Sequence, residues 1–97
     1  MPAALGLLER RWSLRLVWEL RRDAISFSAI RTRTGISPSV LSARLSELTA
    51  AGVVEQDPRR RYRLTGEGRE LARLLYEINR WAERAGVAGV SSQRERA

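Results

Sequence analysis

The apolar positions of the chain fall into stripes of helical period, separated by turn signals and interrupted once by a stretch of strand-like alternation. Between Ser37 and Ala50, Leu41, Leu45 and Leu48 recur at intervals of four and three, which marks one buried face of an α-helix. Ser37 is a good N-cap because its hydroxyl can accept from an otherwise unpaired amide. Pro38 fits the first helical position, where a missing N–H costs nothing. Gly52 ends the helix. At 100° per residue, Ser39, Ser42, Ala43 and Ser46 lie away from the leucines, with Arg44 at their flank. This exposed side is short and rich in hydroxyls rather than long and charged, which lets the backbone approach a partner closely.

Ahead of it, Ser26 can cap a short helix running to Thr34, anchored by Phe27 and Ile30, with Arg31 and Arg33 projecting and Gly35 closing it. Helix, glycine turn and a second helix with a small-residue face form the helix-turn-helix pattern, whose second helix enters the DNA major groove. An ordinary packed helical hairpin is the bland alternative. Beyond Gly52, Val53-Val54-Glu55 reads as a strand, Gln56 to Arg60 as a turn and Arg61 to Leu64 as the returning strand. Alternation places Tyr62 and Leu64 on one face and Arg61 and Arg63 on the other, with Arg59 and Arg60 near the tip. Four arginines within residues 59–63 would in isolation be a solvated cluster. Placed directly after a recognition helix, residues 55–63 read as a wing that lies along DNA phosphates or in the minor groove.

Long helices flank this unit. The first is expected from about Ala4 to Arg22 with two apolar stripes, one of Leu5, Trp12, Leu16 and Leu20 and the other of Leu7, Leu14 and Trp18. A central helix sandwiched by its own chain could use both; the sharper expectation is that one stripe is a subunit interface. Asp23-Ala24-Ile25 reads as a bend or a short extended piece. The last helix, capped by Thr65, is expected from Gly66 to about Arg84, with Leu71, Leu74, Leu75, Ile78, Trp81 and Ala82 on one broad face. Leu7, Leu14, Trp18, Leu74, Ile78 and Trp81 are therefore the expected dimer contacts. Residues 1–86 form one domain, and 87–97, without periodicity, are expected to be a disordered tail.

Composition narrows the function classes. The 97-residue chain carries 18 basic and 11 acidic residues, a formal net charge of +7, and every basic residue is arginine. That sign favours a polyanionic partner. Cys and His are both absent, which removes thiolate and imidazole metal ligands, Cys nucleophiles and His bases. Without a Gly-rich phosphate loop or a carboxylate pair, no catalytic constellation can be assembled, so neither an enzyme nor a cofactor is expected. No signal-peptide core or membrane span can be read, so a cytoplasmic protein is expected.

Taken in order, Trp12 with Leu14-Arg15-Leu16-Val17-Trp18-Glu19-Leu20, Phe27, Gly35-Ile36-Ser37, Leu41 to Leu48, Gly52-Val53-Val54, Tyr62-Arg63-Leu64-Thr65, Gly68, Leu71 and Trp81 resemble the HxlR-type winged-helix transcription regulators over roughly residues 11 to 84. MarR-like and PadR-like regulators share the architecture. The resemblance implies a mainly α winged helix-turn-helix fold with a small β-hairpin wing. It further implies a homodimer, with contacts from the first and last helices, that binds double-stranded DNA as a sequence-specific repressor or activator. Glu9-Arg10-Arg11 departs from the Gly-Gly-Lys the family often has before the Trp, and the N-terminal Cys of some members is missing. The wing is also short. On this reading helix 37–50 enters the major groove at an inverted-repeat operator. Ser37, Ser39, Ser42, Ala43 and Arg44 belong to that contact, and Arg31, Arg59, Arg60 and Arg61 hold phosphates. No effector can be named. The alternative is a winged helix that serves as a protein-interaction module of a larger assembly.

Overall fold

Leu16, Val17, Leu20, Ile30, Leu41, Leu45 and Leu48 are almost wholly withdrawn from solvent and form one core with Val53, Val54 and Leu64 of the hairpin. Each such side chain contributes about 1.5–3 kcal/mol on transfer from water, so these stripes dominate the fold. A computed structural model, which describes residues 3–87, resolves seven elements. They are α1 (Ala3–Glu9), α2 (Ser13–Glu19), α3 (Phe27–Thr34), α4 (Pro38–Ala50), β1 (Val54–Gln56), β2 (Tyr62–Leu64) and α5 (Gly66–Ala85). Strands β1 and β2 pair antiparallel with Val54 opposite Leu64 and Gln56 opposite Tyr62. Ile25 exchanges two 2.8 Å backbone hydrogen bonds with Tyr62, so the extended piece expected at residues 23–25 becomes a third short arm against the hairpin.

The expectation of one helix from Ala4 to Arg22 is corrected. The chain breaks at Arg10-Arg11-Trp12, where Trp12 takes a left-handed φ of 79°. In a straight helix Leu7 and Leu16, nine residues apart, would point to opposite sides. The bend brings Leu7 and Trp12 against the core that holds Leu16, and that burial offsets the roughly 1–3 kcal/mol of a strained backbone residue. After the break α2 has a single buried stripe of Ser13, Leu16, Val17 and Leu20, while Leu5, grouped by the sequence with Trp12, Leu16 and Leu20, is exposed. Val17 belonged to neither expected stripe.

Helix α5 is tied to the hairpin at its start. Thr65 donates its amide to Val53 O at 3.0 Å and its hydroxyl to Gly52 O, while Thr65 Oγ1 accepts the amide of Gly68 at 3.1 Å. Gly68 packs so closely on the Val53 carbonyl that a Cβ there would collide with it. Further along, Leu71, Ala72 and Leu75 pack against the core, whereas Leu74, Ile78 and Trp81 face outward. Of the expected tail at 87–97, residues 88–97 lie outside the described residues.

Candidate nucleic-acid interface

The helix-turn-helix is held by local polar groups placed where the sequence puts them. Ser26 Oγ accepts from Ala29 N at 3.2 Å at the start of α3, and Ser37 Oγ accepts from Val40 N at 3.4 Å at the start of α4. Between them Gly35 takes φ 73°, donating its amide to Arg31 O at 2.8 Å, a left-handed C-cap that glycine adopts without penalty. Thr34 Oγ1 donates to Ile30 O at 2.8 Å and accepts from Ile36 N at 3.3 Å, and Ile36 is buried beneath the turn. Both ends of the turn are therefore satisfied internally.

The leucine stripe of α4 is fully buried and its opposite face is open. Ser39, Ser42, Ala43 and Ser46 are all exposed, and none of them carries a long side chain. Ser42 and Ser46, with Gln56 and Tyr62 of the hairpin, border a shallow concavity of about 450 Å3 between α4 and the wing. Arg44, expected beside the serines, is instead folded back. Its Nε donates to Arg11 O at 3.0 Å and its Nη1 to Glu47 Oε1 at 2.7 Å, with Arg10 Nε 3.9 Å from Glu47 Oε2. Arg44 and Glu47 thus brace α4 against the bend between α1 and α2.

The wing has its own organising residue, Asp57. Its side chain is nearly buried, and Oδ1 accepts the amides of Arg59 and Arg61 at 2.9 Å while Oδ2 accepts from Arg61 Nε at 2.9 Å. Burial pushes this carboxyl up, but the Arg61 amide and guanidinium together with the Arg59 amide outweigh it and hold the group below the usual aspartate value. A turn closed by Arg60 N donating to Asp57 O at 2.9 Å carries Pro58, and Arg60 follows in the left-handed region at φ 65°. The residue pattern marks only a turn here; the signal for its organisation is the Asp57-Pro58 pair, since aspartate in a turn binds nearby amides.

The expected site residues therefore divide. Arg31, Arg59 and Arg60 are exposed, like Arg33, and none of the four has an ion-pair partner among the described residues. Arg61 is committed to Asp57, Arg63 to Glu55 at 2.8 Å, and Arg44 to Arg11 and Glu47. Away from this surface, the residues expected at a dimer contact gather between α2 and α5. Leu14, Trp18 and Ile78 line a groove of about 580 Å3 with Leu75 and Ala82, Leu74 and Trp81 stand exposed on α5, and Leu7 is half-buried against the core.

A capped helix-turn-helix with a short-chained outer face, followed by an arginine-bearing hairpin, makes this a winged helix-turn-helix domain. Residues 7–88 match the HxlR-like helix-turn-helix family, and the chain belongs to it. It is a DNA-binding transcription regulator. The chain is 38% identical over 86 residues to the HTH-type transcriptional regulator YvaP of Bacillus subtilis, a match covering 81% of this chain and 80% of that one. Among solved structures it is similar to quinone-bound YodB from B. subtilis, with a TM-score of 0.79 and 30% identity over 84% of this chain and 93% of that one. It is also similar to the transcriptional repressor BigR from Xylella fastidiosa, with a TM-score of 0.67 and 31% identity over 76% of this chain and 77% of that one.

Proposed function

We propose that the protein is a homodimeric, sequence-specific repressor that works in the cytoplasm without enzymatic activity or a cofactor. The observation that carries the docking mode is the outer face of α4, where Ser39, Ser42, Ala43 and Ser46 are short, together with Arg31, Arg59 and Arg60, which have no ion-pair partner among the described residues. Short hydroxyls and a methyl group suit base edges in the major groove, so Ser39, Ser42 and Ala43 read sequence while Ser37 holds the helix start in shape. Arg31, Arg59 and Arg60 meet phosphates, which set affinity and register without reading sequence. Arg61 keeps the wing folded, and Arg44 fixes the angle of α4. Repression is assigned on the likeness to BigR, a transcriptional repressor.

Dimerisation is supported by the apolar flank of α5, where Leu74, Ile78 and Trp81 lie in the open beside the groove that Leu14 and Trp18 border. A two-fold dimer presents two copies of α4, so the operator is an inverted repeat with half-site centres about 10–10.5 base pairs, or a multiple, apart. Among the described residues no helix is long and apolar enough to cross a membrane. Mutation separates the two kinds of contact. Replacing Arg59 and Arg60 by alanine is expected to weaken operator and random duplex alike and to flatten the salt dependence by roughly one unit per lost phosphate contact. Ser42→Ala should erode the difference between the two DNAs. A wing variant that loses only operator binding refutes this division of roles. A wild-type protein with no duplex affinity at low salt refutes the whole docking mode and leaves a protein-interaction module.

A further inference from the structure

The three sides of α5 have three different characters. One packs on the core, and the flank of Leu74, Ile78 and Trp81 suits a second copy. At 100° per residue the opposite flank carries Arg69, Arg73 and Tyr76, and it faces the end of α2, where Trp18, Arg21 and Arg22 stand. These six side chains line an open groove of about 590 Å3, within the range of roughly 300–1,000 Å3 common for small-molecule sites. Among the described residues, no carboxylate lines it.

Two of its four arginines, Arg21 and Arg69, are held in place by neutral partners. The Arg21 guanidinium lies 3.9 Å over the Trp18 ring and Nη1 donates to Trp18 O at 2.8 Å, while Arg69 Nη1 donates to Leu64 O at 3.2 Å. Arg22 and Arg73 are exposed and have no ion-pair partner among the described residues. Like charges gathered around one concavity repel each other, and an anion placed among them removes that penalty. A guanidinium offers a planar fork that matches a carboxylate with two hydrogen bonds. The walls are not uniformly polar: the exposed Tyr76 ring and the stacked Trp18–Arg21 pair supply flat apolar surface. Bare phosphate would use the charges and waste the rings. A neutral aromatic would do the reverse.

We propose that the groove between α2 and α5 binds a small aromatic carboxylate, its carboxylate held by Arg22 and Arg73 and its ring laid against Tyr76 and the Trp18–Arg21 pair. The site does not depend on the docking mode of α4, because none of its residues belongs to α3, α4 or the wing.

Calorimetric titration of the full chain with 2-naphthoate tests it directly, with inorganic phosphate and neutral 2-naphthylmethanol as controls. Naphthoate should bind saturably, one per chain, and clearly more tightly than either control. Arg73→Gln, at an exposed position, should weaken it roughly tenfold, as expected for the loss of a charge-assisted contact. Tyr76→Ala should weaken naphthoate and leave phosphate unchanged, and Arg59→Ala should alter neither. Absence of saturable binding overturns the proposal, as does phosphate binding as tightly as naphthoate, which would make the groove an unselective anion patch. A loss of random-duplex affinity in Arg73→Gln as large as that in the Arg59/Arg60 double variant also overturns it, because the groove would then be a DNA phosphate track.

Discussion

Helices α4 and α5 solve opposite problems. Helix α4 buries Leu41, Leu45 and Leu48 completely and shows solvent nothing large and apolar, whereas α5 buries only Gly68 and Ala72 outright. The outer side of α5 leaves Leu74 61%, Ile78 57% and Trp81 54% exposed. One helix is finished by its own chain. The other is not, and the difference says what each can meet. A face of serine and alanine can lie in a hydrated groove at little cost, while a run of leucine, isoleucine and tryptophan gains most against another apolar surface.

The widest separation between the two helices is energetic. Leu45→Ala should destabilise the protein by about 2–5 kcal/mol at every concentration, because it leaves a cavity in a closed core. Leu74→Ala should change the stability of dilute protein by no more than about 0.5 kcal/mol, since the monomer already exposes that side chain. Its effect should appear instead in sedimentation, as a shift toward monomer, with Trp81→Glu acting in the same direction more strongly. Denaturant unfolding at two protein concentrations checks both halves. Equal losses from Leu45→Ala and Leu74→Ala in dilute solution would erase the contrast.

The next effect tests the one end at which α5 is finished. A methyl group at Gly68 would collide with the Val53 carbonyl and lie 3.1 Å from Leu64 Cβ, so Gly68→Ala must shift the helix start away from β1. The carbonyl also accepts the Thr65 amide at 3.0 Å, which leaves it little room to move. About 1–3 kcal/mol is expected, as for other overpacked sites, read from the thermal midpoint. A neutral substitution would mean that α5 is loosely seated along its whole length.

How far the sequence revealed these features depends on whether the controlling contact is local. Ser26, Gly35, Ser37 and Thr65 act on neighbours within a few residues, and each stands in the structure at the cap or turn its position implied. The stripe of α4 is legible for the same reason, because one helix facing one core keeps a simple period. The break at Trp12 was not legible, since two interleaved stripes fit a continuous helix as well as a bent one. Only packing shows that Leu7 and Leu16 share a core. The sequence marked Arg44 and Arg61 as cations without showing their partners. The bend supplies the carbonyl of Arg11 to Arg44 from 33 positions away, and Asp57 takes Arg61 by folding a turn beneath it. Capture of a charge by the chain's own groups, 33 positions away for Arg44 and four for Arg61, leaves no periodic trace.

Capture of Arg61 leads to the smallest and most local expectation, which sharpens the sense in which the α4 side is finished. Burial raises the Asp57 carboxyl, yet the bonds from the amides of Arg61 and Arg59 and from the Arg61 side chain bring it below its ordinary value. A carboxyl depressed in the folded state binds protons more readily when unfolded, so the folded wing gains stability above the unfolded value of about 3.9. That gain fades as the pH falls through the lower, folded value. The wing should therefore be indifferent to pH near neutrality and loosen only in acid. Amide resonances of Arg59 and Arg61 followed by NMR should titrate together, with a midpoint below about 3.9. In Asp57→Asn the side-chain Oδ1 can still accept from the amides of Arg59 and Arg61, but the ion pair through Oδ2 with Arg61 is given up, so the acid transition should vanish while amide exchange at the tip quickens. A midpoint above the ordinary aspartate value would show that burial wins over the hydrogen bonds. Asp57 would then be a carboxyl the wing tolerates, and the exposed arginines at its tip would owe their placement to Pro58 and the hairpin register.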